Sequence, residues 1–274
     1  EALTDQTTYL IKTRAIDKAS NEEDWGSPGD SNAHNFIYDI TPPQSAIAIP
    51  DHLSHLKELP TISGTASDTF GLSEVRVSIL KTLGTKYWHG SNWDDGELWN
   101  LVYSTTNYTT WTSTGVSWDD NCDYVIKSKA WDKAQPGGNE ESSGSEGSAN
   151  VHRFTFDNTP PVSVIDYPTG GTLTTLTEIS GTASDARSDV AMVKVRIADI
   201  TTSTTYYWNL STWVTNPVNW HNAAGTDDWT FGDPNITDDT WDSGHTYLIQ
   251  TRAQDSASPA NVETPSSGVT FSFD

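Results

Sequence analysis

An internal repeat is the feature of this sequence that most constrains its fold. Three segments align without gaps and start at residues 8, 123 and 246: TYLIKTRAIDKA, DYVIKSKAWDKA and TYLIQTRAQDSA. The first two copies are followed by FIYD or FTFD and then by a Thr-Pro-Pro triplet, which starts at residues 41 and 159, hence 118 residues apart. A repeat with so long a period indicates that one folding unit recurs along the chain.

A second pair of landmarks gives the order of elements within one unit. The segment ISGTASD occurs at 62–68 and again at 179–185, in each case upstream of the later copies of the Tyr-containing segment. From this order we predict two complete units, at 42–158 and 159–274, each with a Trp-rich insert. Residues 1–41 then correspond to the C-terminal strands of an incomplete unit.

Apolar and polar residues alternate with a period of two within each unit. Val75, Val77 and Ile79 are separated by polar residues, and residues 193–197 repeat the same alternation. This pattern predicts half-buried strands. Short strands separated by clusters of Gly, Pro, Asn, Asp and Ser predict an all-β chain of antiparallel β-sandwiches.

A tyrosine is the second residue of each copy of the repeated segment. These residues are Tyr9, Tyr124 and Tyr247, each at the start of a late strand. A tyrosine in that position of a sandwich forms the hydrogen bond known as a tyrosine corner. An isoleucine follows two residues later, where antibody domains carry a cysteine, so we expect aliphatic packing to replace the disulfide.

Taken together, TPP, ISGTASD, the Tyr-x-Ile segment and Asn-x-Glu resemble the tandem bacterial Ig-like repeats of very large secreted or cell-surface proteins. The resemblance covers nearly the whole chain. It implies tandem immunoglobulin-like β-sandwiches and a role as a spacer, adhesin stalk or filament component on a prokaryotic cell surface. It does not imply an enzyme.

The net charge restricts the partners of the chain. A formal charge of −22 argues against binding to nucleic acid or to an anionic membrane, where basic residues supply most of the affinity. No apolar run is long enough to cross a membrane. With Cys122 as the single cysteine, no disulfide can form within the chain.

Six aspartates are the candidate metal ligands. In an Ig-like sandwich the loops that follow two of the strands share one end with the start of the first strand, so aspartates at these positions are expected to gather. The two predicted groups, each at a junction between units, are Asp39, Asp68 and Asp132, and Asp157, Asp185 and Asp255. With oxygens of Asn139 or Asn261 nearby, each group suits Ca²⁺. The alternative is that each aspartate only stabilises a turn.

Tryptophan is unusually frequent. Ten of the 12 tryptophans lie in the two inserts. Two pairs, Trp88 with Trp93 and Trp208 with Trp213, are candidates for stacking on glycans or for contact with another subunit. In the alternative reading, each pair faces across a β-hairpin and covers the sandwich.

Enzyme signatures are weak throughout the sequence. The histidines do not have metal-ligand spacing, and no G-x-S-x-G or H-E-x-x-H motif occurs. Adjacent carboxylates such as Asp94 and Asp95 are typical of solvated loops rather than of a glycosidase pair. We therefore predict that the chain is not an enzyme.

The sequence thus favours a structural segment of a secreted or cell-surface protein, whose partners are neighbouring Ig-like units or identical chains in an extended assembly. Alternatives are a carbohydrate-binding or adhesive module and an accessory region of a secreted hydrolase. Residues 1–41 are explained either by a cut from a longer array or by strands supplied from another chain. The cut array is favoured, because no chain has spare opening strands to donate.

Overall fold

The computed structural model describes residues 2–216 and 220–274, and these are almost entirely strands and connecting loops. Their one helical element is a short 3₁₀ turn at Asp238–Thr240. The prediction of an all-β fold is therefore confirmed. No helix among these residues is long and apolar enough to span a membrane.

The first 41 residues contain a two-stranded antiparallel hairpin, β1 (Thr7–Lys12) with β2 (Ala33–Tyr38). Tyr9 lies opposite Phe36, and the two rings stack with their centroids 5.5 Å apart. Ile11, by contrast, is 57% exposed.

Residues 44–156 form two sheets from ten strands. These are β3 (Gln44–Ile49), β4 (Ser54–Leu56), β5 (Thr61–Ser67), β6 (Leu72–Lys81), β7 (Lys86–Trp88), β8 (Trp93–Asp94), β9 (Asn100–Leu101), β10 (Thr110–Thr114), β11 (Cys122–Asp132) and β12 (Val151–Phe156). The smaller sheet has the order β10-β5-β3, and the larger has the order β4-β12-β11-β6-β7-β8, with β9 also paired to β6. Strand β4 pairs with β12 in parallel, so one short parallel pair is added to an antiparallel framework.

Residues 162–273 repeat this arrangement. The strands are β13 (Val162–Tyr167), β14 (Gly171–Leu173), β15 (Glu178–Ser184), β16 (Val190–Asp199), β17 (Tyr206–Trp208), β18 (Trp213–Val214), β19 (His221–Asn222), β20 (Ala224–Gly225), β21 (Asp228–Gly232), β22 (His245–Asp255) and β23 (Val269–Phe273). The sheet orders are β13-β15-β21-β20 and β14-β23-β22-β16-β17-β18, with β19 paired to β16. The parallel pair recurs as β14 with β23.

The alternating residues form the cores of the sandwiches, as the sequence predicts. Val75, Val77 and Ile79 in β6 are fully buried. Ile249 in β22 lies opposite Ile197 in β16, and both are fully buried. Ile126 and Ile249 are thus fully buried, as the expected aliphatic packing requires, whereas Ile11 is 57% exposed, so the expectation is wrong for the first copy.

By compactness the chain divides into two units. One comprises residues 1–52, 60–117 and 124–153, and the other comprises 53–59, 118–123 and 154–274. The domain boundaries predicted from the repeat remain predictions. Each Asp group falls entirely within one compact unit, so each is described on its own.

Candidate functional site

The first Asp group lies where three loops of the first compact unit meet. Asp39 follows β2, Asp68 follows β5 and Asp132 ends β11. One carboxylate oxygen from each lies within 4.8 Å of the other two. The Asn139 amide belongs to the same group, because its Nδ2 donates to Asp132 Oδ2 at 2.7 Å and to the Asp39 carbonyl at 3.1 Å.

The second Asp group, in the second compact unit, repeats this geometry and is more deeply buried. Asp157, Asp185 and Asp255 again bring one oxygen each within 4.8 Å of one another. Asp157 is 0% exposed and Asp255 is 1% exposed. Asn261 Nδ2 donates to Asp255 Oδ2 at 2.7 Å and to the Asp157 carbonyl at 2.9 Å.

Each aspartate also stabilises its own loop. Asp68 Oδ1 accepts hydrogen bonds from the backbone N–H of Phe70 and Gly71, and Asp185 Oδ1 accepts them from Arg187 and Ser188. The turn-stabilising role weighed at the sequence level is therefore present. It engages Oδ1 of these carboxylates and leaves the second oxygen available for other contacts.

The local electrostatics disfavour the ionised forms of Asp39 and Asp157. Burial raises the pKa of the Asp157 carboxyl, and the charges of Asp185 and Asp255 raise it further, against hydrogen bonds from Ser188 and Thr159 that lower it. Burial also raises the pKa of Asp39, and the neighbouring carboxylates act in the same direction. Like charges in a poorly solvated place repel one another unless a cation is near.

The two groups also differ in one hydroxyl donor. Ser188, three residues after Asp185, donates its hydroxyl hydrogen to Asp157 Oδ2 at 2.6 Å. The equivalent position after Asp68 is Gly71, which has no side chain to donate. The sequence shows this Gly-to-Ser difference, but only the fold shows that the hydroxyl reaches a carboxylate 31 residues earlier in the chain.

The Trp pairs lie on short hairpins that pack against tyrosines of the repeated segment, Tyr124 and Tyr247. Trp88 lies opposite Trp93 across β7 and β8, with ring centroids 5.3 Å apart. Trp208 and Trp213 form the equivalent pair across β17 and β18, at 5.4 Å. The cross-hairpin pairing that the sequence suggested is thus observed.

These tryptophans are largely engaged within the fold. Trp88 is only 5% exposed. Trp213 stacks on Tyr247 with centroids 5.2 Å apart, and its Nε1 donates to the Thr240 carbonyl at 3.3 Å. Trp208 Nε1 donates to the Asn235 carbonyl at 2.9 Å. The arrangement supports a packing role for the hairpins, and glycan or subunit contact remains a prediction.

No family model matches the sequence, and no curated protein matches it. The chain is similar to solved structures at low identity. Fibronectin(III)-like modules of Clostridium thermocellum CbhA match at 13% identity over 84% of this chain and 94% of that chain, with a TM-score of 0.34. A marsupial T cell receptor matches at 10% identity over 85% and 73% of the two chains, with a TM-score of 0.41.

The three N-terminal domains of the bacteriophage RB49 highly immunogenic outer capsid protein match at 10% identity over 89% of this chain and 75% of that chain, with a TM-score of 0.36.

The class of the protein follows from its own strand order. Each repeat contains two sheets, and a strand near its end carries the repeated tyrosine. Among the described strands, pairing in each repeat is antiparallel apart from one short pair. These features define an immunoglobulin-like β-sandwich.

Proposed function

We propose that this chain is a structural segment of a prokaryotic extracellular or cell-surface protein, in which tandem Ig-like units form a semi-rigid rod or filament. Its partners are neighbouring units of the same kind or identical chains. Its role is to hold other parts of an assembly at a distance, without catalysis.

The observation that carries this proposal is the recurrence of one connection. Asp39 and Asp157 each precede a Thr-Pro-Pro triplet, and in each the Oδ1 atom accepts the N–H of the triplet's threonine at 3.1 Å. The carbonyl of each aspartate also accepts a hydrogen bond from the asparagine of a later loop. Prolines that restrict φ, next to a backbone fixed on both sides, favour a stiff connector over a flexible tether.

Small-angle X-ray scattering of the chain, with electron microscopy of the native preparation, tests this role. We expect an elongated particle with one defined distance distribution. Replacing Pro160 by Gly and Pro161 by Ser should broaden that distribution, because the connector then gains backbone freedom. A matched control replaces Pro28 and Pro265, which lie outside the Thr-Pro-Pro connections, by Gly.

The control variant shows whether a broader distance distribution comes from the connector itself or from any replacement of proline in the chain. The Pro28 and Pro265 variant should scatter as the wild type does. If the wild type already scatters as freely jointed bodies, and the Pro160 and Pro161 variant leaves the profile unchanged, the connector is a tether and the rod proposal fails.

A further inference from the structure

Both Asp groups contain buried oxygens that no donor in the described part of the chain satisfies. Asn261 is 0% exposed, and its Oδ1 has no hydrogen-bond partner among the described residues. The orientation of this amide is dictated by its neighbours, since only Nδ2 can donate to the Asp255 carboxylate and the Asp157 carbonyl. The Oδ2 atoms of Asp185 and Asp39 are also shielded from solvent and without a partner among these residues, although both residues are only half-buried.

Buried acceptors without donors are rare, because each costs roughly 1–3 kcal/mol if nothing satisfies it. Here they occur at the same place as three carboxylates in each group. None of the ion pairs found in the described part of the chain joins a Lys, Arg or His to any of the six aspartates. In the described part of the chain, no basic side chain therefore forms an ion pair with these carboxylates.

We propose that each Asp group is a Ca²⁺ site, formed by Asp39, Asp68 and Asp132 in the first compact unit and by Asp157, Asp185 and Asp255 in the second. A Ca²⁺ ion takes six to eight oxygen ligands at about 2.3–2.6 Å in flexible geometry. Carboxylate oxygens within 4.8 Å of one another fit around one such ion. The remaining ligands are water and neighbouring amide or carbonyl oxygens, among which Asn261 Oδ1 is the leading candidate in the second site.

The second site is the better preorganised of the two. Its carboxylates are fixed by backbone N–H groups and by the Asn261 amide, and two of its three aspartates are at most 1% exposed. Binding thus requires little reordering of side chains, which lowers its entropic cost. This inference does not rest on the rod proposal, because the two are tested separately. A rod that does not bind Ca²⁺ would pass the scattering test and fail the calorimetric test described next, and a flexible chain that binds Ca²⁺ would do the reverse.

Isothermal titration calorimetry of the full chain with CaCl₂, after removal of metal with EDTA and in about 0.15 M NaCl to screen diffuse attraction, tests the proposal. We expect saturable binding of two Ca²⁺ per chain. Asp185→Asn should reduce this to one, because the turn keeps its Oδ1 acceptor while the charged ligand is lost. Asp68→Asn should do the same at the other site.

Asp239→Asn is the matched control, since it removes one charge from an exposed aspartate that is in neither group. It should still bind two Ca²⁺. Weak, unsaturable binding, or a stoichiometry that Asp185→Asn and Asp68→Asn leave at two, would overturn the proposal and show a diffuse counterion effect.

A measurement on the wild type covers the case in which a variant fails to fold. In NMR spectra, paramagnetic Mn²⁺ used as a substitute cation should broaden the amide signals of Thr159, Ser188 and Asn261 before most others. Ca²⁺ should also raise the midpoint of thermal unfolding by several degrees relative to EDTA, as a ligand of the native state does. Broadening that spares these amides would contradict the site.

Discussion

Trp229 lies directly opposite Gly181 in the neighbouring strand, and its indole fills the space above that glycine. A Cβ atom on residue 181 would lie 2.4 Å from the ring and 2.0 Å from the Val164 carbonyl oxygen. The indole Nε1 donates to the Thr182 carbonyl at 3.1 Å. The glycine of ISGTASD is thus required by the tryptophan of the insert, which closes one side of the core.

Gly181→Ala is expected to lower the free energy of unfolding by about 2–3 kcal/mol, because neither a backbone oxygen nor a fully buried ring can move away cheaply. Urea unfolding followed by tryptophan fluorescence measures the loss. Thr182→Ala, an exposed neighbour, is the control and should change stability by about 0.5 kcal/mol or less. Equal stability of the Gly181→Ala and wild-type chains would show that the indole has room to move.

Tyr247 forms the predicted tyrosine corner. Its hydroxyl oxygen accepts the backbone N–H of Asp242, five residues earlier, at 2.8 Å. Tyr247→Phe leaves that N–H without its partner, so we expect a loss of about 1 kcal/mol at neutral pH in urea unfolding. Tyr206→Phe, at a residue 38% exposed, should have little effect.

The raised pKa of the same tyrosine leads us to expect a loss of stability at alkaline pH. Burial raises the pKa of Tyr247 to about 12, whereas a tyrosine in the unfolded chain titrates near 10. The unfolded chain therefore releases this proton first, and the contribution present below about pH 10 is lost between about pH 10 and 12. Across this pH window, the midpoint temperature of thermal unfolding should fall more steeply for the wild type than for Tyr247→Phe. Parallel declines would refute the assignment.

Local pattern predicted much of the fold, because strand alternation and turn residues are local properties. The burial of Val75 and Val77 and the pairing of Trp88 with Trp93 both follow from residues close in the sequence. The approach of the aspartates within each group was predicted from the loop order of a sandwich.

Contacts between distant residues could not be predicted in this way. The indole of Trp229 meets Gly181 only after the insert folds back onto the smaller sheet, and the Ser188 hydroxyl reaches Asp157 only across two loops. Both contacts depend on strand register, which short and irregular strands specify weakly. The parallel pairing of β14 with β23 cannot be predicted from local pattern either, since Gly171–Leu173 is too short to show a period.

A substitution in one Trp pair distinguishes a packing role from a ligand-binding role. Trp213→Ala should lower stability by about 3 kcal/mol or more, because the ring packs on Tyr247 and its loss leaves a cavity. Trp25→Ala, at a residue 56% exposed, is the control and should cost much less. A glycan array with the wild type tests the alternative: specific binding that Trp213→Ala abolishes without loss of stability would favour a carbohydrate-binding role.

Asn261 is the residue on which the second Asp group depends in the absence of metal. Its backbone N–H donates to Asp255 Oδ1 at 2.7 Å, and its Nδ2 bridges Asp255 Oδ2 and the Asp157 carbonyl. Asn261→Ala keeps the first bond and removes the other two, which leaves a buried carboxylate oxygen and a buried carbonyl without a donor. We expect a net loss of about 1–3 kcal/mol in urea unfolding with EDTA present, because the two lost donors outweigh the removal of the unpartnered Oδ1. Asn158→Ala, at an exposed asparagine, is the control, and a similar loss there would mean that the amide contacts are not the cause.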